Sequence, residues 1–122
     1  MANYWGYHLV LDCTGCTNIT NKEHIEKFVE DTIDSIGMIA HGKPQIEYLL
    51  PDTDNEGYSV LQMITTSNLT AHFVTKSDSA YIDVFSCQNF DPAIAIDKVK
   101  EYFSPTKIND RSMPAYEKQR IA

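Results

Sequence analysis

The side chains best suited to chemistry in this sequence are Ser59, Ser67, His72 and Cys87, which fall within one stretch of the chain. A serine hydroxyl becomes a nucleophile when a neighbouring base takes its proton. An imidazole can serve as that base near neutral pH, and a thiol can deliver a proton to a carbon centre. Each residue type also has a plainer use: serine in turns, histidine as a satisfied polar group, cysteine as a small apolar filler. Type alone leaves both readings open, because such sites depend on mutual geometry. A second group is Cys13-Thr14-Gly15-Cys16, whose spacing serves redox exchange and zinc binding elsewhere. Redox use wants the first cysteine at a helix N-terminus, whereas the next helix signal here comes only after Thr20. Zinc wants four ligands. Cys87 and one of His8, His24, His41 or His72 could complete a set, but no second pair has ligand spacing. Two small residues in a turn at a strand end is the simpler reading. The sequence has no glycine-rich phosphate loop and no G-x-S-x-G elbow, so nucleotide hydrolysis and serine-hydrolase chemistry have no support.

The elements that must carry these residues can be read from hydrophobic period. Tyr7 to Cys13 alternates, with Tyr7, Leu9 and Leu11 on one side, and predicts a first strand. Thr20-Asn21-Lys22-Glu23 reads as a capping box opening a helix, whose buried stripe is Ile25, Phe28, Val29, Ile33 and Ile36 and whose end is Gly37. Strands are predicted over Gln45 to Leu50, Tyr58 to Thr65, Leu69 to Val74 and Ala80 to Phe85, with the polar loop Asp52 to Gly57 and the turn Lys76 to Ser79 between them. Asp91 and Pro92 open a second helix with the stripe Ile96, Val99 and Phe103, and Pro105 stops it. Beyond Ile108 the chain is polar and expected to fray, apart from a short edge strand around Lys107. Residue parity puts Ser59 and Ser67 together and His72 opposite, so a bulge, or a strand starting after Ser67, is expected if all three are to meet.

Strands joined by tight turns, with two amphipathic helices, predict an α+β fold: a mostly antiparallel sheet with both helices on one face, a two-layer sandwich forming a single domain over residues 1–122. The sheet's other face is apolar enough to predict a homodimer. Ten basic residues against 17 acidic ones give a net charge of −7, which argues against nucleic acid and anionic membranes as partners. The start of the chain lacks a basic region followed by an apolar run, and its three cysteines are an odd number. A cytoplasmic protein with free thiols is therefore expected.

The stretches Gly57-Tyr58-Ser59, Thr66-Ser67-Asn68-Leu69-Thr70-Ala71-His72 and Asp83-Val84-Phe85-Ser86-Cys87 resemble, at the same mutual offsets and without a gap, the short prokaryotic and phage form of S-adenosylmethionine decarboxylase. The likeness runs from Gly6-Tyr7-His8-Leu9 to about Pro105. It implies a proenzyme that cuts itself between Thr66 and Ser67 and turns Ser67 into a pyruvoyl group. Ser59 and His72 would be the processing pair, and Cys87 the proton donor in catalysis. The pyruvoyl ketone would form a Schiff base with the amine of S-adenosylmethionine and take up the electrons left by carbon dioxide, with no metal. The product would serve spermidine and other polyamine synthesis. An aromatic near Tyr48 or Tyr58 would stack on the adenine.

Four positions depart from the family pattern. Thr66 replaces a glutamate and places a β-branched side chain beside the carbonyl to be attacked. Lys76 stands where a glutamate usually holds the ribose, and its ammonium can only donate. Asn68 replaces a histidine and Gln88 a glycine. These departures leave two alternatives beside the decarboxylase of S-adenosylmethionine. One is the same chemistry on ornithine or arginine. The other is an uncleaved homologue that binds a partner or ligand.

Overall fold

The computed structural model describes residues 4–116. Its elements in chain order are β1 (Tyr4–Thr14), α1 (Lys22–Ser35), β2 (Gln45–Leu49), β3 (Gly57–Ile64), β4 (Ser67–Val74), β5 (Ser79–Ser86), α2 (Pro92–Phe103), β6 (Lys107–Asp110) and β7 (Met113–Tyr116). The strands form one antiparallel sheet in the order β2-β3-β4-β5-β1-β6, and β7 pairs with the first half of β1. The strand alternation decides which face is covered. Leu9, Leu11 and Cys13 of β1, Val60 and Ile64 of β3, Leu69 and Phe73 of β4, and Ile82 and Val84 of β5 are buried in one cluster with Ile25, Phe28 and Val29 of α1 and Ala95, Val99 and Phe103 of α2. Phe103 closes that layer, with ring centroids 4.8 Å from Phe28 and 5.0 Å from Phe73. Each such side chain contributes about 1.5–3 kcal/mol by leaving water. The expected two-layer α+β sandwich is what forms.

The opposite face of the sheet carries Ser59, Leu61 and Met63 of β3, Asn68, Thr70 and His72 of β4, and Tyr81 and Asp83 of β5. Leu61 and Met63 are 53% and 62% exposed, and Leu49, Tyr81 and Met113 also stand in solvent. No element among the described residues covers these side chains.

Several boundaries differ from the sequence reading. Asn21, not Thr20, caps α1, its side-chain oxygen accepting from His24 N at 3.2 Å. In α2 the buried stripe runs through Ala95 while Ile96 is only half-buried, because Ala95, four residues before Val99, faces the sheet. The stretch after Ile108 is paired and not frayed up to Tyr116. Arg111 Nε meets Asp12 at 2.8 Å, and Val10 N donates to Ser112 Oγ at 2.9 Å. The edge strand expected around Lys107 is β6, and β7 was not foreseen. Residues 117–122, the rest of the expected frayed tail, lie outside the described residues. Strand β4 starts at Ser67, two residues earlier than expected, because pairing with Ile64 and Ser86 continues to the very turn.

Candidate active site

Only Thr65 and Thr66 separate β3 from β4. Two-residue hairpin loops favour residues at positive φ, and neither threonine adopts it. Neighbouring backbone holds the turn instead. Thr65 N donates to Ile39 O at 3.1 Å, and Cys87 N donates to Thr66 O at 3.2 Å. The second bond has chemical meaning, since Thr66 O belongs to the Thr66–Ser67 peptide. An N–H on that oxygen polarises the carbonyl and is placed to steady the negative charge that nucleophilic attack would put there.

Ser67 supplies a hydroxyl at the same peptide. Its Oγ lies 2.6 Å from Ser86 Oγ, 3.2 Å from Thr66 Oγ1 and 3.4 Å from Met38 Sδ. Ser86 is fully buried and accepts from Gln88 N at 2.8 Å. Cys87 follows at the end of β5 with an exposed thiol. A cleft of about 580 Å³ opens beside the turn between Lys43, Gln45, Leu61, Met63, Ser67 and Asn68.

Ser59 and His72 form a separate pair. They face each other across β3 and β4, with Ser59 Oγ 2.7 Å from His72 Nδ1. His72 Nε2 lies 3.3 Å from the Asn55 carbonyl, which can only accept. In the neutral ring Nε2 therefore carries the proton, and Nδ1 accepts from Ser59. Parity counted along the chain misplaced these residues. The turn makes position numbers of facing partners sum to 131, so an odd residue on β3 faces an even one on β4. Ser59 shares a face with His72 and not with Ser67, whose parity is that of buried Leu69 and Phe73. Strand β4 pairs continuously from Ser67 to Val74 without the expected bulge. Five residues of strand put Ser67 and His72 roughly 17 Å apart along β4, on opposite faces. One chain thus brings the Thr66–Ser67 peptide to the Cys87 backbone and Ser59 to His72, but does not bring the two pairs together.

Tyr48 and Tyr58 stack edge to face at 4.9 Å near the Ser59 end of the sheet, the Tyr48 hydroxyl donating to Glu56. Lys76 reaches Asp54 at 3.8 Å, with both side chains in solvent. Cys13 and Cys16 are buried, and their thiols are pushed up to about 12 and about 11, first by burial and then by neighbouring charge. Both side chains belong to the buried core cluster at the end of β1. Among the described residues no group of three or more His, Cys, Asp or Glu is placed to hold a metal ion. The sequence reading missed Ser86 and Met38. Ser86 had a signal: it is the polar residue at a core position after Ala80, Ile82 and Val84. Met38 had none, since it reaches Ser67 from the loop after α1.

Fold and turn together define a small two-layer α+β protein with a serine hydroxyl set beside its own preceding carbonyl. The family model described as S-adenosylmethionine decarboxylase matches residues 7–114, and the chain belongs to that family, whose members work through a pyruvoyl group. Its relatives include the S-adenosylmethionine decarboxylase proenzyme of Anoxybacillus flavithermus, 31% identical over 99 residues, covering 79% of this chain and 75% of the relative. That of Thermomicrobium roseum is 24% identical over 104 residues, covering 84% and 86%. The crystal structure of the adenosylmethionine decarboxylase from Aquifex aeolicus VF5 shares the fold, with a TM-score of 0.77 and 18% identity over 94% of this chain and 93% of that one.

Proposed function

We propose that this chain is a self-cleaving decarboxylase of S-adenosylmethionine that feeds polyamine synthesis, and that its working form is a homodimer. One observation carries the reading: Cys87 N holds the oxygen of the peptide that precedes Ser67, whose hydroxyl is itself held in place by Ser86. Attack of Oγ on the Thr66 carbonyl carbon makes the ester and breaks the amide C–N bond, the hydroxyl proton ending on the Ser67 nitrogen. Loss of the Ser67 α-proton to a base then breaks the bond from Oγ to Cβ. Residues 1–66 leave with a carboxylate at Thr66, and the dehydroalanine left at position 67 tautomerises to an imine that water hydrolyses, releasing ammonia and leaving a ketone at the head of residues 67–122. His72 is that base, taking the proton at Nδ1 as the Ser59 hydroxyl that holds the ring gives way.

The surroundings of Ser67 fit a pyruvoyl group made in place, since the residue stands at the first position of a strand and lines a cleft. That group supplies an electron sink when carbon dioxide leaves. Cys87 holds the proton that returns to the α-carbon, for which the neutral thiol is the useful form. The aromatic pair Tyr48 and Tyr58 offers a stacking surface for adenine. The net charge of −7 favours the approach of a sulfonium cation.

The separation of the two pairs supports a dimer. His72 stands on the uncovered face, roughly 17 Å along β4 from Ser67, and a second copy on that face would bring its base to the cleft that Ser67 lines together with Leu61, Met63 and Thr70. The exposed Leu61, Met63 and Tyr81 give that second copy an apolar surface to cover.

Intact mass of the purified protein tests the cleavage: two fragments divided between Thr66 and Ser67, the C-terminal one blocked to amine-directed sequencing. Release of carbon dioxide from carboxyl-labelled S-adenosylmethionine, set against ornithine and arginine, then tests the substrate. A single unmodified chain overturns the proposal.

A further inference from the structure

Ser86 takes part in no bond-making step above, yet it is the polar group nearest the nucleophile. Its side chain is fully buried, and it is the cross-strand partner of Ser67 in the β4–β5 ladder. Gln88 N can only donate, so Ser86 Oγ accepts at 2.8 Å from one side and receives the Ser67 hydroxyl at 2.6 Å from the other. Its own position is fixed by backbone. Ser86 pairs with Tyr7 of β1, and β1 passes so close that any Cβ on Gly6 would overlap the Ser86 carbonyl oxygen. Met38 Sδ, 3.4 Å from Ser67 Oγ, is the weaker acceptor for the same proton.

We propose that Ser86 is the positioning residue for self-cleavage: its hydroxyl takes the Ser67 hydrogen bond and so holds the Ser67 lone pairs free for the Thr66 carbonyl. This rests on the reading that Ser67 cuts its own chain. Ser86 enters before the ester exists. The bond it serves is the one forming between Ser67 Oγ and the Thr66 carbon, as the Thr66–Ser67 amide breaks and the nitrogen gains the proton. It plays no part in the later α-proton loss.

Two isosteric variants isolate the hydroxyl. Ser86→Thr keeps it, and Ser86→Val has the same shape without it. Freshly translated protein is followed by intact mass for the rate of cleavage, with thermal melting of each variant as a check on folding. Ser86→Thr is expected to cleave within a few-fold of the parent, and Ser86→Val about tenfold slower or worse, the loss of roughly one good hydrogen bond in the transition state. Hydroxylamine, which cuts an accumulated ester, is expected to restore cleavage in His72→Ala and not in Ser86→Val. Equal rates for the threonine and valine variants overturn the role of Ser86 while leaving cleavage by Ser67 intact. Rescue of Ser86→Val by hydroxylamine also overturns it, because the ester would then form without the hydroxyl. A parent chain that never cleaves overturns this inference and the proposed function together.

Discussion

If His72 serves the Ser67 of a second chain, two inactive variants should repair each other. Ser67→Ala removes the nucleophile and His72→Ala the base, and neither chain alone can finish cleavage. In a mixed dimer one of the two sites is whole: Ser67 of the His72→Ala chain faces His72 of the partner subunit. With equal expression and random pairing, about half of the His72→Ala chains meet such a partner, so about a quarter of all chains should be cut. The structure sets the contrast sharply. Two side chains on opposite faces and roughly 17 Å apart along one strand cannot exchange a proton, for which hydrogen-bond reach is needed. Cleavage within one chain therefore predicts none in the mixture. The reverse mixture gives a second reading. Parent chain co-expressed with the double variant Ser67→Ala/His72→Ala should leave about half of the parent chains uncut if the base comes from the partner, and none uncut otherwise. Intact mass after purification through a tag on one chain reads both. An uncut first mixture and a fully cut second would refute cleavage across the dimer, and with it the argument from strand geometry.

Replacing Leu61 and Met63 by Asp should dissociate the dimer in sedimentation while changing monomer stability by no more than about 0.5 kcal/mol, since both side chains are exposed; an unchanged mass would place the interface elsewhere. Native protein should titrate one thiol with a disulfide reagent, through exposed Cys87, and three after unfolding. Because Cys13 and Cys16 titrate at about 12 and about 11 when folded against 9.0 as the reference, the folded state holds their protons more tightly. Their contribution is whole below pH 9 and is lost as pH rises toward 12, so urea midpoints should fall in that window and fall less in Cys13→Ala/Cys16→Ala. A Cβ at Gly57 would overlap the Phe73 carbonyl oxygen, so Gly57→Ala should cost about 1–3 kcal/mol of stability and slow cleavage by shifting Ser59 against His72, both measurable on one preparation. Cys87→Ala should leave cleavage intact and abolish most carbon dioxide release, whereas Ser67→Ala should abolish cleavage, both read on the same mass spectra and labelled-substrate assay.

The layers of the fold were legible because they depend on period. The stripe from Ile25 to Ile36 and the alternation in β1 and β5 name the faces that meet, whatever the pairing. What local sequence could not supply was the relation between strands. Whether Ser59 shares a face with Ser67 or with His72 depends on a turn one residue longer or shorter, and a one-residue slip reverses the answer. The edge strand expected around Lys107 is β6, whereas β7 escaped for a different reason. Its place is set by the backbone edge that β1 offers and by Arg111 and Ser112, which precede it. The reactive residues were visible as types, and the likeness to a family gathered them. That grouping held no hint that one chain keeps them in two places.

Thr66 and Gln88, two of the positions at which this chain departs from its family's pattern, lie against each other. Thr66 Oγ1 donates to Gln88 Oε1 at 3.5 Å and sits 3.2 Å from Ser67 Oγ. The two departures are therefore one change in the surroundings of the scissile peptide. A carboxylate at position 66 would stand beside the oxygen that turns negative during attack. Two like charges 4 Å apart repel by about 4 kcal/mol at an effective dielectric constant of 20. A neutral hydroxyl and amide remove that repulsion, while the branch at Thr66 Cβ crowds the approach. The charge effect acts on the developing oxyanion and the crowding on the trajectory of Ser67. If Ser67 cuts this chain, the cleavage accordingly depends on aim, the property proposed above for the Ser86 hydroxyl and the Cys87 N–H.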